Sequence, residues 1–309
     1  MRRLATLALL GLAAWTAGAA LGTGSPGHRT GARAAVAPVV ELGLAHPREA
    51  TGLPSLSGRR PVFILSLGSD ARPGEPVAGE RSDSIHIIGI NGSEHRASIL
   101  GFPRDSWVSI PGHGMDKINA ALTDGGPLLS VRTVEQLTGI HIDYYMLTSF
   151  PGLVNMVNAV GGVVVDVPYP MHDSFSGADF NAGRQRLNGQ QALALSRNRH
   201  DTPNGDLSRS LNQGLLLRSG LAELHKQFAK DPAVLLTWIA AGVRNVETNL
   251  SIPQLLALAF TALQVPPSKV RNEVVPASTG TVGGASVVFI SGSARSVYRD
   301  MRRDGLIGK

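Results

Sequence analysis

Residues 62–72, Val-Phe-Ile-Leu-Ser-Leu-Gly-Ser-Asp-Ala-Arg, decide the fold expected for this chain. The apolar run from Val62 to Leu67 ends at Gly68, which is typical of a strand buried on both faces of a sheet. Asp70 and Arg72 follow at once. The strand is therefore expected to deliver charged side chains to an edge of the sheet, a common position for ligand sites.

Two further β-rich runs follow the first strand, at 85–90 and 97–102. Asn91-Gly92 lies between them, and this dipeptide is a strong signal for a tight hairpin turn. Pro103 ends the second run because proline cannot donate to a β-ladder. The pattern predicts an antiparallel hairpin beside the first strand.

Helical spacing of apolar residues appears over 127–138 and 150–160, and Gly161-Gly162 ends the second helix where a positive φ is needed. Val163–Val167 is predicted to be another buried strand. Four more helices are predicted over 189–197, 208–228, 233–243 and 251–263, with late strands over 269–275 and 287–290 and a charged terminal helix. Helices alternating with strands predict an α/β (α+β) fold with a mixed central β-sheet sandwiched by helices.

The amino terminus has the composition of an export signal. Arg2 and Arg3 precede an uncharged, largely apolar run over 4–22. The basic flank keeps the amino terminus in the cytoplasm and places the rest outside. We expect a signal-anchor or signal peptide at 1–27, a flexible extracytoplasmic linker at 28–60, and one domain at 61–309 with its motifs within 61–230. The protein is then a single-pass cell-membrane protein, or secreted if the segment is cleaved.

The residue composition limits the kinds of functional site that the chain can contain. The chain has no cysteine, which excludes disulfides, thiolate metal sites and cysteine nucleophiles. The formal net charge is +6, and five of the 29 basic residues are lysines, so 24 are arginines. The arginine excess has two interpretations: a coding bias, or recognition of anions by planar guanidinium groups.

Acids and arginines fall at the ends of the first three strands. They form three pairs: Asp70 and Arg72 after the first strand, Arg81 and Asp83 before the second, Arg104 and Asp105 after the third. Because the hairpin reading makes these strands neighbours, the pairs are expected to gather at one edge of the sheet. Asp83 and Asp105 are the candidate general bases.

A second basic cluster lies far along the chain, near the start of a predicted helix. It contains Arg197, Arg199, Asp206, Arg209 and Gln213. Arginines aimed one way beside strand-end carboxylates are costly to place together unless an anion lies between them. The arrangement favours binding of phosphate groups.

The order of these segments and the residues within them resemble the LytR-CpsA-Psr family. The resemblance is sharpest over 62–230. The motifs that show it are Gly-Ser-Asp-Ala-Arg at 68–72, Arg-Ser-Asp-Ser at 81–84, Pro-Arg-Asp at 103–105, Lys-Ile-Asn-Ala-Ala at 117–121, Ile-Asp-Tyr-Tyr at 142–145, Val-Asn-Ala-Val-Gly-Gly-Val at 157–163, Leu-Asn-Gly-Gln-Gln-Ala-Leu at 187–193, Ser-Arg-Asn-Arg at 196–199 and Gly-Asp-Leu-Ser-Arg at 205–209.

The resemblance implies an extracytoplasmic phosphotransferase that moves a glycopolymer from a polyprenyl pyrophosphate carrier to peptidoglycan. It implies Mg²⁺ or Mn²⁺ as cofactor, held by Asp70 and Asp83. The catalytic residues it implies are Arg81, Asp83 and Arg104. The pyrophosphate contacts it implies are Arg81, Arg104, Arg197, Arg199, Arg209 and Gln213. Arg72 and Lys117 are further candidates for pyrophosphate binding, and a solvated loop position is an equally good interpretation of Lys117. Asn212 departs from the family pattern, which often has arginine there, and Ser208 stands where glycine is common.

The carrier's lipid tail requires an apolar cavity. Phe150, Leu153, Val154 and Val157 are candidates to line it, although packing on the sheet is the simpler interpretation from sequence. His86 lies within an apolar strand, and we interpret it as a core histidine with its polar atoms satisfied.

Three other functions remain open from the sequence. A polyprenyl-pyrophosphate hydrolase and a non-catalytic lipid-pyrophosphate-binding protein would both use the same site, and only the acceptor separates them. A nucleic-acid-binding regulator would fit the positive charge. The export segment opposes it, and no predicted helix gathers basic residues on one stripe, so we expect no nucleic-acid partner.

Overall fold

A computed structural model describes residues 60–308. The predicted signal segment at 1–27 and the predicted linker at 28–60, apart from its last residue, lie outside the described residues. The strands are β1 (Val62–Ser69), β2 (Ser82–Asn91), β3 (Arg96–Gly101), β4 (Trp107–Ile110), β5 (Gly114–Lys117), β6 (Tyr144–Ser149), β7 (Val163–Val167), β8 (Met171–Asp173), β9 (Ala178–Phe180), β10 (Gly183–Leu187), β11 (Val246–Thr248), β12 (Val270–Val274), β13 (Ala277–Val282) and β14 (Ala285–Ile290).

The helices are α1 (Ala120–Thr138), α2 (Phe150–Ala159), α3 (Gly189–Arg197), α4 (Asp206–Phe228), α5 (Val234–Asn245), α6 (Ile252–Leu263) and α7 (Ala294–Asp304). The predicted helices are confirmed, with some boundaries shifted by one or two residues. α1 also extends upstream of its predicted start, and Gly125 and Gly126 break it because neither has helical φ and ψ.

A mixed six-stranded sheet forms the centre, in the order β11-β6-β1-β2-β3-β12. β2 is antiparallel to both β1 and β3, whereas β6 is parallel to β1 and β12 is parallel to β3. The predicted hairpin beside the first strand is therefore confirmed. Its register pairs Ile64 with Ile88 and Ile88 with Ile99.

The pleat of the sheet separates two cores, because successive side chains of a strand point to opposite faces. Phe63, Leu65 and Leu67 pack with α1 and α7 on one face. Val62 and Ile64 pack on the other face with residues of α6. Helices thus cover both faces of the sheet, as the sequence predicts.

Several strands lie outside the central sheet. Val163–Val167 is a strand with three of its five side chains buried, as predicted, but it pairs with β10 in a separate two-stranded ribbon. β14 contains the late strand predicted at 287–290, whereas its antiparallel partner β13 was not predicted. The ribbons β4–β5 and β8–β9 were also not predicted. Their strands are three or four residues long, too short to show a periodic pattern.

The turn at the end of α2 confirms the expectation from Gly161-Gly162. The two glycines have φ of +79° and +85°. A Cβ on Gly162 would also lie 2.7 Å from the carbonyl oxygen of Leu187. Glycine is therefore required twice over, by backbone conformation and by close approach. Among the described residues no helix combines the length and apolar character that a membrane crossing needs.

Candidate active site

The ends of β1, β2 and β3 bring the first polar residues together. Gly68 pairs with Ser84 in the β1–β2 ladder, and the Asp70 N–H donates to the Arg81 carbonyl at 3.1 Å. Asp83 is the second residue of β2, and its Oδ1 is 2.5 Å from Arg104 Nη1. The predicted gathering of strand-end charges is confirmed for Asp70, Asp83 and Arg104.

The β4–β5 ribbon adds Lys117 to this edge. Its Nζ lies 2.9 Å from Asp105 Oδ1, and both side chains are largely shielded from solvent. The Asn119 N–H donates to the Arg104 carbonyl at 3.3 Å, which ties the end of the ribbon to the strand-end loop. Lys117 is therefore held at the site by an ion pair.

The start of α4 supplies the second half of the site. Gly205 precedes the helix with φ of +53°, so the chain turns sharply into it. Arg209 Nη2 and Arg199 Nη1 lie 3.0 and 3.9 Å from Asp206 Oδ1. Gln213 Nε2 donates to the carbonyls of Asp83 and Ser196, at 3.0 Å each. α4 thereby joins the two polar clusters that the sequence placed apart.

We call Asp70, Asp83, Arg104, Asp105, Lys117, Arg199, Asp206, Arg209 and Gln213 the polar cluster. The charges within it shift one another's ionisation. Burial raises the pKa of Asp70, and the negative charges of Asp83 and Glu80 raise it further. Burial lowers the pKa of Arg209, partly offset by the charge of Asp206.

Asp105 and Asp206 form a carboxyl pair with opposite shifts. Burial raises the pKa of Asp206, and the hydrogen bond and charge of Asp105 raise it further against the attraction of Arg209. Burial also acts to raise the pKa of Asp105, but hydrogen bonds from Lys117 and Asp206 and the charge of Arg104 outweigh it, so that pKa is lowered. At the same pH, Asp105 is the more ionised partner.

Several buried polar atoms in and around the polar cluster have no hydrogen-bond partner among the described residues. They include Asp70 Oδ1, Arg104 Nε, Asn119 Oδ1 and both side-chain polar atoms of Asn198. Buried polar atoms are nearly always hydrogen-bonded in proteins, so a concentration of free ones indicates a place for a polar ligand or ordered water.

An apolar cavity of about 480 Å³ lies directly beside the polar cluster. Asp83 and Gln213 belong to both, and Ser84 and Ser196 line the cavity next to them. Its walls come from the second face of the sheet and from α2, α4, α5 and α6. Phe150, Leu153 and Val157 line it, whereas Val154 does not, so three of the four candidates do more than pack on the sheet.

Three of the arginines predicted to belong to the site lie outside the polar cluster. The Arg197 guanidinium lies 5.0 Å above the Phe150 ring at the cavity wall. Arg81 is exposed and contacts Asp70 through its backbone. Arg72 is exposed on the β1–β2 loop, where its N–H donates to Glu75 Oε2 at 2.6 Å. No contact described for residues 60–308 joins the Arg72 side chain to the polar cluster.

The two departures from the family pattern have local roles. Asn212 is buried and its Nδ2 donates to the Tyr169 hydroxyl at 3.3 Å, away from the polar cluster. Ser208 Oγ accepts from the Asn204 N–H at 3.0 Å and so stabilises the loop before α4.

From the sequence, Asp206 was placed in the second basic cluster without a role, and Asn198 was given none. Asp206 precedes Arg209 by one helical turn, and that spacing was the available signal. Asn198 lies between the two arginines of Ser-Arg-Asn-Arg, and nothing in its residue type marks it as buried. The predicted core role of His86 is confirmed: it is fully buried, with Nε2 3.0 Å from the Ser210 carbonyl and Nδ1 3.2 Å from Ser84 Oγ.

Comparisons with known proteins agree with this architecture. LcpB of Corynebacterium glutamicum, named a probable cell wall biosynthesis protein, is 40% identical over 161 residues, 48% of this chain and 38% of LcpB. TagU of Enterococcus faecalis, named a polyisoprenyl-teichoic acid–peptidoglycan teichoic acid transferase, is 37% identical over 208 residues, 67% of each chain. The crystal structure of B. subtilis TagV superposes with a TM-score of 0.68 at 28% identity, over 79% of this chain and 96% of TagV.

These matches leave part of each curated relative uncovered: the matched segment spans 38% of LcpB and 67% of TagU. The model of the LytR_cpsA_psr family matches residues 41–302, which include every residue of the polar cluster and every wall of the apolar cavity. The chain belongs to the LytR-CpsA-Psr family.

Proposed function

We propose that this chain is an extracytoplasmic phosphotransferase that moves a glycopolymer from a polyprenyl pyrophosphate carrier to peptidoglycan through a phosphodiester link. One observation supports it most: the polar cluster lies directly beside an apolar cavity, and Asp83 and Gln213 belong to both. A polyprenyl pyrophosphate needs these two environments side by side, one for the charged head and one for the hydrocarbon tail. The name of TagU supports the same class of reaction, and the name of LcpB supports a role in cell wall biosynthesis.

In this proposal the guanidinium groups of Arg104, Arg199 and Arg209 bind the pyrophosphate oxygens. Arginine presents a planar fork of donors that matches phosphate geometry. These arginines are already held in place by Asp83 and Asp206, so little rearrangement is needed when the substrate binds. Preorganised donors of this kind account for much of the rate enhancement in phosphoryl transfer.

The transfer exchanges one phosphorus–oxygen bond for another. A sugar hydroxyl of the acceptor attacks the phosphorus that carries the glycopolymer, and the bond from that phosphorus to the bridging oxygen breaks. Polyprenyl phosphate leaves with the bridging oxygen. The hydroxyl proton passes to a carboxylate of the protein.

Asp105 is our choice of carboxylate for that proton. Its ion pair with Lys117 keeps it ionised, whereas Asp83 is a candidate ligand of the divalent cation and would be a poor base when bound to it. Because Asp105 is hydrogen-bonded to Asp206, the proton it accepts belongs to the pair rather than to either carboxyl alone.

Asp70 and Asp83 fit a divalent cation, Mg²⁺ or Mn²⁺. Asp70 Oδ1 is buried without a hydrogen-bond partner among the described residues, and burial and the charge of Asp83 raise the pKa of Asp70. Hard cations prefer such carboxylate oxygens. Residues 60–308 contain no group of three or more His, Cys, Asp or Glu arranged for a metal, so the two carboxylates would hold the cation together with oxygen atoms from substrate or water. The bound cation supplies positive charge that offsets the phosphates.

The proposed location is the outer side of the cell membrane. The basic residues followed by an apolar run at the amino terminus support it, since such a segment exports the chain that follows. A carrier embedded in the membrane and a peptidoglycan acceptor outside it would both be within reach of a domain attached there.

The deciding experiment incubates the full chain with a lipid-linked oligosaccharide labelled in its sugar, Mg²⁺ and peptidoglycan fragments. We expect label on peptidoglycan. Release of the labelled sugar phosphate without attachment would identify a hydrolase, and binding without either product would identify a lipid-binding protein. Arg199→Ala and Asp83→Ala are expected to abolish transfer, whereas Arg299→Ala, an exposed arginine on α7, should leave it unchanged.

A further inference from the structure

Helix α6 is apolar on every side. All its residues except Gln254 and Thr261 have apolar side chains. Leu258 is buried and lines the apolar cavity, yet Ile252 and Phe260 are 58% and 50% exposed. A helix that is apolar all round is normally covered all round. The outward side of α6 therefore lacks the cover that its composition calls for within the described part of the chain.

Helix α5 contacts α6 and lines the same cavity. Leu235, Trp238 and Ile239 line the cavity from α5, whereas Leu236 is 65% exposed. Val243 also lines the cavity, although it is 38% exposed.

We call Leu236, Ile252 and Phe260 the outer apolar face. Both helices line the cavity with one side and expose this face with the other. Large exposed apolar side chains on two helices in contact with each other are typical of an interaction surface.

We propose that the outer apolar face rests on the lipid bilayer, with these side chains inserted at headgroup depth. The inference rests on the proposed function, in which the tail of the carrier occupies the cavity. That tail is embedded in the bilayer, and it reaches the cavity without crossing water only if the cavity wall touches the membrane. The wall formed by α5 and α6 is apolar on its inner and its outer side, as such contact requires.

Charges around α5 suit an anionic membrane surface. Lys230 precedes the helix, and Arg244 lies in its last turn, both exposed. The nearby carboxylate of Asp231 is hydrogen-bonded within the chain, because its Oδ1 accepts from the Ala233 N–H at 2.9 Å. Basic residues beside exposed apolar side chains are typical of surfaces that lie in a membrane interface.

The chain has no cysteine, so single cysteines report one position each without background. We would label Leu236→Cys, Ile252→Cys and Phe260→Cys of the full chain with an environment-sensitive fluorophore. Met115→Cys is the matched control, because Met115 on β5 is 53% exposed and lies outside both helices. Each protein is reconstituted into phosphatidylethanolamine–phosphatidylglycerol vesicles that carry a lipid-bound nitroxide quencher.

The three positions on the outer apolar face are expected to show blue-shifted emission and quenching by the lipid nitroxide, and Met115 neither. Equal quenching at all four positions would overturn the proposal. A blue shift without lipid quenching would also overturn it, because the face would then be covered by protein. No turnover is needed, so this result is independent of the proposed reaction.

A second test uses the triple variant Leu236→Ser, Ile252→Ser, Phe260→Ser. None of these residues lines the cavity. Transfer from a donor embedded in vesicles should fall by roughly tenfold as membrane contact weakens, while transfer from a detergent-dispersed donor is unchanged. Equal effects on both donors would contradict the proposal. If the unaltered chain transfers from neither donor, the proposed function fails, and the fluorescence result still decides the membrane contact.

Discussion

Arg104 is the side chain around which the polar cluster is organised. Its guanidinium is 2.5 Å from Asp83 and 3.9 Å from Asp105, and its charge also acts on Asp70 and Asp206. Burial acts to lower the pKa of Arg104, but the charge and hydrogen bond of Asp83, together with the charges of Asp105 and Asp206, outweigh it and raise that pKa. The result is a fixed cation among carboxylates, with a buried Nε that has no hydrogen-bond partner among the described residues.

Asp105→Asn tests the proposed path of the proton. The amide keeps the size of the side chain but cannot accept the hydroxyl proton, so kcat is expected to fall by about 10²–10⁴-fold with a smaller effect on KM. The measurement is the steady-state rate of transfer to peptidoglycan fragments. Asp179→Asn, at an exposed carboxylate on β9, is the control and should retain full activity. An unchanged kcat in Asp105→Asn would remove Asp105 from the reaction.

Individual site residues were predictable where a strand end or a motif marked them. Asp70, Asp83 and Arg104 follow from strand-end position, and Arg209 and Gln213 from the family resemblance. Asp206 and Asn198 were not assigned because their roles depend on burial against another segment, which residue type does not reveal. Phe150 and Leu153 are similar: an apolar residue that lines a cavity has the same spacing as one that fills a core.

Helix α4 is the element that turns two sequence clusters into one site. Arg209 and Gln213 lie four residues apart, so they share one side of the helix. Gln213 reaches the carbonyl of Asp83 on β2, and Arg209 pairs with Asp206. The sequence predicted this helix from its apolar spacing, but its contact with β2 is long-range and had no local signal. Long, periodic elements were therefore predictable, whereas short ribbons and inter-element contacts were not.

Gly162→Ala tests the turn that ends α2. Alanine must adopt φ of +85° there, and its Cβ would lie 2.7 Å from the Leu187 carbonyl oxygen. The left-handed conformation alone costs about 1–2 kcal/mol in free energy of unfolding, and the close contact adds to it. Urea denaturation monitored by circular dichroism measures the loss. Gly220→Ala in α4 is the control, since a Cβ there meets no atom within 4 Å, and it is expected to stabilise slightly. Equal stability of both variants would contradict the described turn.

A buried histidine between the sheet and α4 makes the stability of the domain depend on pH. Burial lowers the pKa of His86 to about 4, from its usual value of 6.5. The unfolded chain therefore takes up a proton at this residue before the folded chain does. The free energy of unfolding is fully present above pH 6.5 and decreases as the pH falls toward 4, by about 3 kcal/mol from this residue.

The check is urea denaturation across that pH range in the parent chain, His86→Asn and His141→Asn. His86→Asn should show a shallower loss of stability between pH 6.5 and 4, because the titrating group is gone. His141→Asn, at an exposed histidine, should follow the parent. Identical pH profiles for the parent and His86→Asn would show that His86 does not set the acid sensitivity.

The central claim for the molecule is that its polar cluster and apolar cavity hold the two ends of one ligand. A crystal structure with a short polyprenyl pyrophosphate tests this most directly. The account predicts phosphate oxygens within about 3 Å of the guanidinium nitrogens of Arg104, Arg199 and Arg209, and the hydrocarbon chain in the cavity beside Leu153 and Trp238. A diphosphate bound away from these arginines, or a hydrocarbon chain left outside the cavity, would contradict it.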